Sequence, residues 1–187
     1  MAAGVDALAA ASRAPSPPPS ARECTLTEPN IEGPFFKPDA PFRGPRNARH
    51  HASLVNGATK GIPLEVSGRV LGPDCKPIVG ALVEVWHADH DGAYDHEGFA
   101  FRGRFRSGDD GRYRLQTIIP GHYWVGDGYR PAHIHVKVHV PGHPSLTTQL
   151  YFPGDPYNEV DSFIRPSLVM SLEREEGGAR GRFDFTV

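Results

Sequence analysis

Proline and glycine interrupt this chain so often that no long helix can run through it. Nineteen prolines and 21 glycines fall among 187 residues, and between them lie short runs rich in Val, Ile, Phe and Tyr. A proline inside a helix removes a hydrogen bond and clashes with the preceding turn. Short β-branched and aromatic runs between turn signals read instead as strands. The expected strands cover 64–71, 81–87, 103–107 and 112–118, then the stretch from His133, "LTTQLYFPG", "SLVMSLE" and "GRFDFTV". The first two read as a hairpin around a turn at 72–76, and one helical turn is expected at 155–161. About eight strands at this spacing predict an all-β fold, a β-sandwich in a single domain.

Ahead of the strands, residues 1–22, "MAAGVDALAAASRAPSPPPSAR", read as a flexible leader, either a disordered tail or the end of a signal sequence. The proline-rich stretch that follows, within 23–62, reads as an extended arm laid over the domain 23–187. A formal net charge of −2, with Lys and Arg scattered along the chain, gives no sign of a nucleic-acid partner. No apolar run is long enough to span a membrane.

The stretch "RPAHIHVKVHV", 130–140, carries the chemistry. Side chains alternate across a strand, so Ile134, Val136, Val138 and Val140 face a core while His133, His135, Lys137 and His139 face the other way. Two imidazoles one pleat apart are either part of a solvated face or a pair of metal ligands. Upstream, Tyr94 in "DGAYDH" and Tyr123 in "PGHYW" follow glycine turns, where a side chain can be aimed inward. Two imidazoles and two phenolates would favour a hard, highly charged ion, Fe(III) before Zn(II), and no cysteine lies near the histidines. Spacing alone leaves open whether the four converge, since tyrosine is also a common packed aromatic in sheets.

The strings "SGRVLGPDCKPIVGALVEVWHADHDGAY", "DDGRYRLQTIIPGHY", "YRPAHIHVKV" and "TQLYFPGDP" resemble those of the intradiol ring-cleavage dioxygenases. The resemblance runs in the same order over about 23–187. It implies a non-haem Fe(III) enzyme that uses O2 to cut a catechol between its two hydroxyl-bearing carbons, giving a cis,cis-muconate-type dicarboxylate. It implies Tyr94, Tyr123, His133 and His135 as the iron ligands. Tyr123 would double as the base that is displaced when the diol binds, and Arg130 and Gln149 would line the pocket and stabilise the activated substrate. Tyr129 stands where protocatechuate enzymes carry a tryptophan, and reads as a pocket or packing aromatic. The helical domain of the catechol-type members has no counterpart here. The compact form, with cysteines in the arm and in the "GPDCKP" turn, resembles secreted single-domain members, and on that basis Cys24 and Cys75 are expected to be bridged.

One rival class is the non-catalytic β-sandwich modules of carboxypeptidase-regulatory or adhesin type, which share the "GRVLGPDCKPIVGALVEV" and "DDGRY" turns but do not require "RPAHIH" or Gln149. A β-protein with Zn(II) or Cu(II) at the histidines is another. The sequence leaves open the particular catechol, the oligomeric state, and whether the chain is secreted or cytoplasmic.

Overall fold

The computed structural model describes residues 24–45, 50–126 and 128–187. The expected leader at 1–22 lies outside the described residues. Among the described residues twelve strands form: β1 (His51–Ser53), β2 (Pro63–Leu71), β3 (Leu82–Trp86), β4 (Arg102–Arg106), β5 (Arg112–Ile118), β6 (Tyr123–Val125), β7 (Gly128–Arg130), β8 (His133–His139), β9 (Leu146–Tyr151), β10 (Ser171–Glu175), β11 (Gly178–Arg182) and β12 (Phe185–Thr186). Strands β1, β6 and β7, beyond the eight expected, are only three residues long, and the expected "GRFDFTV" strand is divided between the end of β11 and the two-residue β12.

One sheet runs β1-β5-β2-β11-β10, with β12 also pairing β2, and a second runs β4-β3-β8-β9; β6 and β7 form a separate ribbon. The two larger sheets enclose the core. Leu64, Val66 and Leu115 of the first meet Val83, Val85, Phe105, Ile134, Val136, Val138 and Leu150 of the second, all at most 3% exposed. Burying each such side chain stabilises the fold by about 1.5–3 kcal/mol relative to leaving it in water. This is why the alternation in β8 holds its register: a slip of one residue would exchange the valines for histidines in that core.

One expectation fails. Strands β2 and β3 are not a hairpin, because they lie in different sheets. The turn after β2 closes a Leu71–Pro77 bridge, flanked by bonds from the Gly72 N–H to the Lys76 carbonyl and from the Ile78 N–H to the Val70 carbonyl. The ladder stops there because the Val70 N–H donates to the Gly111 carbonyl instead of returning to Ile78, and the chain crosses to the other sheet. At 155–161 a single turn forms, with the Asn158 N–H bonded to the Asp155 carbonyl and the Asp161 N–H to the Tyr157 carbonyl, and it does not continue into a regular helix. Asp155 accepts from the Tyr157 N–H and Asp161 from the Phe163 N–H, local bonds that compete with a helix. The only helical element among the described residues is a 3-10 turn, Pro166–Leu168. No helix there is long and apolar enough to cross a membrane.

The arm is stitched to both sheets. Backbone bonds run from Cys24 to Pro73, Thr27 to Thr186, Asn30 to Thr147 and Arg43 to Arg104. A Cys24–Cys75 disulfide closes a separation of 51 residues at its start. A loop of that length gives about 4 kcal/mol of stabilisation in the chain-entropy treatment. Cys24→Ser is therefore expected to lower the free energy of unfolding by about 2–4 kcal/mol, read by urea denaturation. Wild-type protein in reductant should fall to the same value.

His87, just past β3, is buried. Its Nδ1–H donates to the Ala88 carbonyl and its Nε2 accepts from the Thr117 hydroxyl, both at 2.6 Å. Burial, with Arg102 adding to it, lowers its pKa to about 4, against the opposing pull of the Ala88 carbonyl and Asp89. The unfolded chain thus binds this proton below pH ~6.5 and the folded chain only below pH ~4. The stability it contributes is full above the upper value and is lost, by about 3 kcal/mol, as pH falls through the window. Denaturant titrations between pH 4 and 7 should show that slope, and His87→Gln should flatten it.

Candidate active site

The outer face of the four-stranded sheet carries the histidines, and register lays out their neighbours. Opposite His135 stand Trp86 on β3 and Gln149 on β9; opposite His133 stands Tyr151 on β9. His133 and His135 are 2% and 1% exposed, so this face is a covered layer and not the solvated side of a sheet. The cover is the arm. Gln149 Nε2 donates to the Ile31 carbonyl at 2.8 Å, and Gly33, at φ 71°, lies so close that a Cβ there would be 3.2 Å from His135 Cε1. Phe35 stacks on Tyr94 with ring centroids 4.1 Å apart.

Tyr94 and Tyr123 arrive on two loops held together by glycines. A Cβ on Gly92 would sit 2.0 Å from the His122 carbonyl oxygen, and one on Gly121 would be 2.5 Å from the Gly92 nitrogen. The Gly121 N–H donates to the Asp89 carbonyl at 2.7 Å. The "DGAY" and "PGHY" turns therefore need glycine because their backbones touch, and that contact sets the tyrosines side by side. Their centroids are 5.5 Å apart; Tyr123 is 5.6 Å from His133, Tyr94 is 6.2 Å from His135, and the two imidazoles are 4.7 Å apart. All four rings share one pocket.

The protonation pattern follows from the partners. His133 Nδ1–H donates to the Pro131 carbonyl at 2.7 Å, so in the neutral ring Nε2 carries the lone pair. That atom points at His135 Nε2, 3.1 Å away. Burial and then the Arg130 charge lower the His133 pKa to about 3. Burial, with His133 next, holds His135 well below the ordinary histidine value. Burial, with Tyr123 next, pushes the Tyr94 phenol well above its ordinary value. Its buried hydroxyl has no hydrogen-bond partner, nor has His135 Nδ1.

Arg130, 5% exposed, is the charge beside these neutral groups. Its Nε donates to Asp161 at 2.7 Å, and Nη2 donates to Gln149 Oε1 and Tyr151 Oη, each at 3.1 Å. Nη1 points at the Tyr123 hydroxyl, 3.4 Å away, and at His133 Nε2, 3.5 Å away. Burial works against its charge, but Asp161 and Tyr123 more than offset that and raise its pKa. Gln149 is fully committed: its carbonyl oxygen also accepts from Tyr151, whose phenol is pushed up to about 12, chiefly by burial.

Several side chains of this pocket gave no functional signal in the sequence. Trp86 lies flat on His135, centroids 4.8 Å apart with 5° between the planes. Tyr151 shares the strand face of Gln149 two residues on, and period-two alternation could have flagged it. Asp161 comes from an irregular loop and had no such signal. Arg102, on β4, is 1% exposed and donates to the Phe35 and Asp95 carbonyls, tying the arm to the Tyr94 loop. His139 bonds Glu84 and Ser145, away from the cluster. Tyr129 is 45% exposed, packed on Trp124 and Tyr157.

An orphaned buried phenol, a second phenol beside a guanidinium, and two neutral imidazoles whose Nε2 atoms face each other fit a hard cation. No group of three His, Cys, Asp or Glu side chains suited to a metal occurs among the described residues, so a metal here would draw on the phenols. Fold and pocket together define a β-sandwich with a buried cluster of two histidines and two tyrosines. Comparison with known proteins narrows this. The signature of the family described as "Dioxygenase" matches residues 31–186. The 6-chlorohydroxyquinol 1,2-dioxygenase of Cupriavidus pinatubonensis is 38% identical over 86% of this chain and 64% of its own length. Catechol 1,2-dioxygenase 2 of Acinetobacter lwoffii is 35% identical over 84% and 63%. Among solved structures, the dioxygenase domain of a dioxygenase carbohydrate-binding protein fusion from the cellulolytic bacterium Streptomyces sp. SirexAA-E is 48% identical. It has a TM-score of 0.78 and covers 87% of this chain and 98% of that one. The chain therefore belongs to the intradiol ring-cleavage dioxygenase family. It spans just under two thirds of the length of these two curated relatives.

Proposed function

We propose that the chain is a non-haem Fe(III) enzyme that inserts both atoms of O2 into a catechol-type diol, cutting between the hydroxyl-bearing carbons to give a cis,cis-muconate-type dicarboxylate. The observation that carries this reading is the convergence of Tyr94, Tyr123, His133 and His135 in one covered pocket beside Arg130. These four side chains would hold the iron. A ferric ion there supplies Lewis acidity toward both diol oxygens and a route for electron density from the ring to O2.

The protein's own groups do the rest. Tyr123 is the more accessible phenol, and Arg130 Nη1 points at its oxygen. As a phenolate it accepts a proton from the entering diol at Oη, and the guanidinium steadies whichever oxygen bears the negative charge. Tyr94, stacked under Phe35 and buried, stays in place as the permanent oxygen donor. The His133 Nδ1 bond to Pro131 keeps Nε2 aimed at the pocket. Asp161, Gln149 and Tyr151 fix the guanidinium plane, so that it meets charge developing on the ring without reorganising. Trp86, Phe35 and the arm exclude water from the histidine side.

A non-catalytic module has no use for a buried guanidinium among unpartnered phenol and imidazole groups, which weighs against that reading. The test is oxygen uptake with catechol, hydroxyquinol and 6-chlorohydroxyquinol under 18O2. One O2 consumed per diol, with one labelled oxygen in each product carboxylate, is expected. A semialdehyde product, from cleavage outside the diol, or no uptake by iron-loaded protein with any of the three, would overturn the proposal.

A further inference from the structure

The six-stranded sheet also has a built outer face, on the opposite side of the sandwich from the histidines. A cleft of ≈ 760 Å³ opens there, lined by arginines 69, 112, 114 and 182 with Ser67 and Ser171 among its other residues. Register explains its shape. Ser67 of β2 pairs with Arg114 of β5 on one side and with Arg182 of β11 on the other, and Ser171 of β10 follows Arg182. Strand spacing sets Arg114 and Arg182 about 10 Å apart at their Cα atoms. A one-carbon side chain between two long cationic ones makes a trough with guanidinium walls. One pleat further on, Arg69 stands opposite Arg112.

The charges in this cleft are unequal. Asp110 lies 3.3 Å from Arg112, and Glu65 lies 3.6 Å from Arg114. Asp184 is occupied with the Arg69 backbone N–H at 2.7 Å. No carboxylate among the described residues forms an ion pair with the Arg69 or Arg182 guanidinium. His50 and His51 stand at the rim. Arginines on an exposed strand face are ordinarily just solvated. Here they surround a cavity of ligand size, since small-molecule sites run to about 300–1,000 Å³, and they do so on a chain whose net charge is −2.

We propose that this cleft is a second, non-catalytic binding site for a linear dicarboxylate. The ligand lies across the strands, one carboxylate against Arg114 and the other against Arg182, with Arg69 on the central strand adding charge one pleat to the side. Guanidinium forks match carboxylates two bonds at a time, and two forks facing each other across Ser67 favour a ligand charged at both ends. The class includes the kind of product that the proposed reaction would release, but the site rests on the cleft alone and holds whether or not that reaction does.

Isothermal titration of the full chain with adipate tests it, with hexanoate as the one-carboxylate control and sulfate as a compact dianion. Saturable binding of one adipate per chain is expected, about tenfold or more weaker in Arg182→Gln, with hexanoate and sulfate weaker by a similar factor. Amide shifts should fall on residues 65–69, 112–114 and 180–182, and oxygen uptake by Arg182→Gln should be unchanged. No saturable heat at millimolar adipate, equal affinity in Arg182→Gln, equal binding of hexanoate or sulfate, or shifts centred on His133 and His135 would each overturn the proposal.

Discussion

His135→Ala is expected to leave a folded protein that no longer retains iron. The imidazole lies between the Trp86 ring and the arm at Gly33, and its Nε2 faces that of His133 at 3.1 Å. Removing it deletes one of four proposed donors and opens a cavity against the tryptophan. Loss of groups that merely orient a ligand costs 10–100-fold in metal affinity in comparable sites, so loss of a donor should cost at least about a hundredfold. Iron content after dialysis against a mild chelator and turnover should fall together. Stability should fall by only about 1–3 kcal/mol, because the deleted ring also carried an unsatisfied buried nitrogen. Full iron retention in His135→Ala would remove that residue from the ligand set.

Arg130→Ala is expected to have two separable effects. Asp161, 4% exposed, would lose the partner of its buried carboxylate, and breaking such a pair costs about 3–5 kcal/mol. Turnover should drop independently by about 10²–10³-fold, the usual loss when a fixed donor to developing charge is removed, while iron stays bound. Adding Asp161→Asn separates the two. The double variant should regain most of the lost stability in urea denaturation, since the unpaired charge is gone, and should regain none of the turnover. Recovery of activity along with stability would mean that Arg130 acts by holding the fold and not by meeting charge on the substrate.

Period-two alternation carried much of what could be read from the sequence. It placed Ile134, Val136 and Val138 in the core and set His133 and His135 together on the other face, because strand geometry is local and rigid. Which strand pairs with which is not local. Nothing in "RVLGPDCKPIVGALVEVW" tells that the Val70 N–H turns to Gly111 and that β3 joins the other sheet, so β2 and β3 read as a hairpin. Coverage is not local either. That His133 and His135 are buried depends on the arm, whose Ile31, Gly33 and Phe35 lie about a hundred residues away in sequence. The burial of His87 and Arg102 likewise depends on distant partners, Thr117 and Phe35. Tyr94 and Tyr123 were found through their glycine turns, yet the cause of their convergence, the backbone contact of Gly92 with His122 and Gly121, is visible only in three dimensions. Asp161, which clamps Arg130, sits in a loop without periodicity and left no trace.

The most direct test of the central claim is a visible absorption spectrum of the purified protein, recorded with metal analysis before and after anaerobic addition of catechol. One iron per chain with a broad tyrosinate-to-iron band that moves to longer wavelength on adding the diol is the predicted result. A protein that stays colourless after reconstitution with ferric or ferrous iron in air would contradict it.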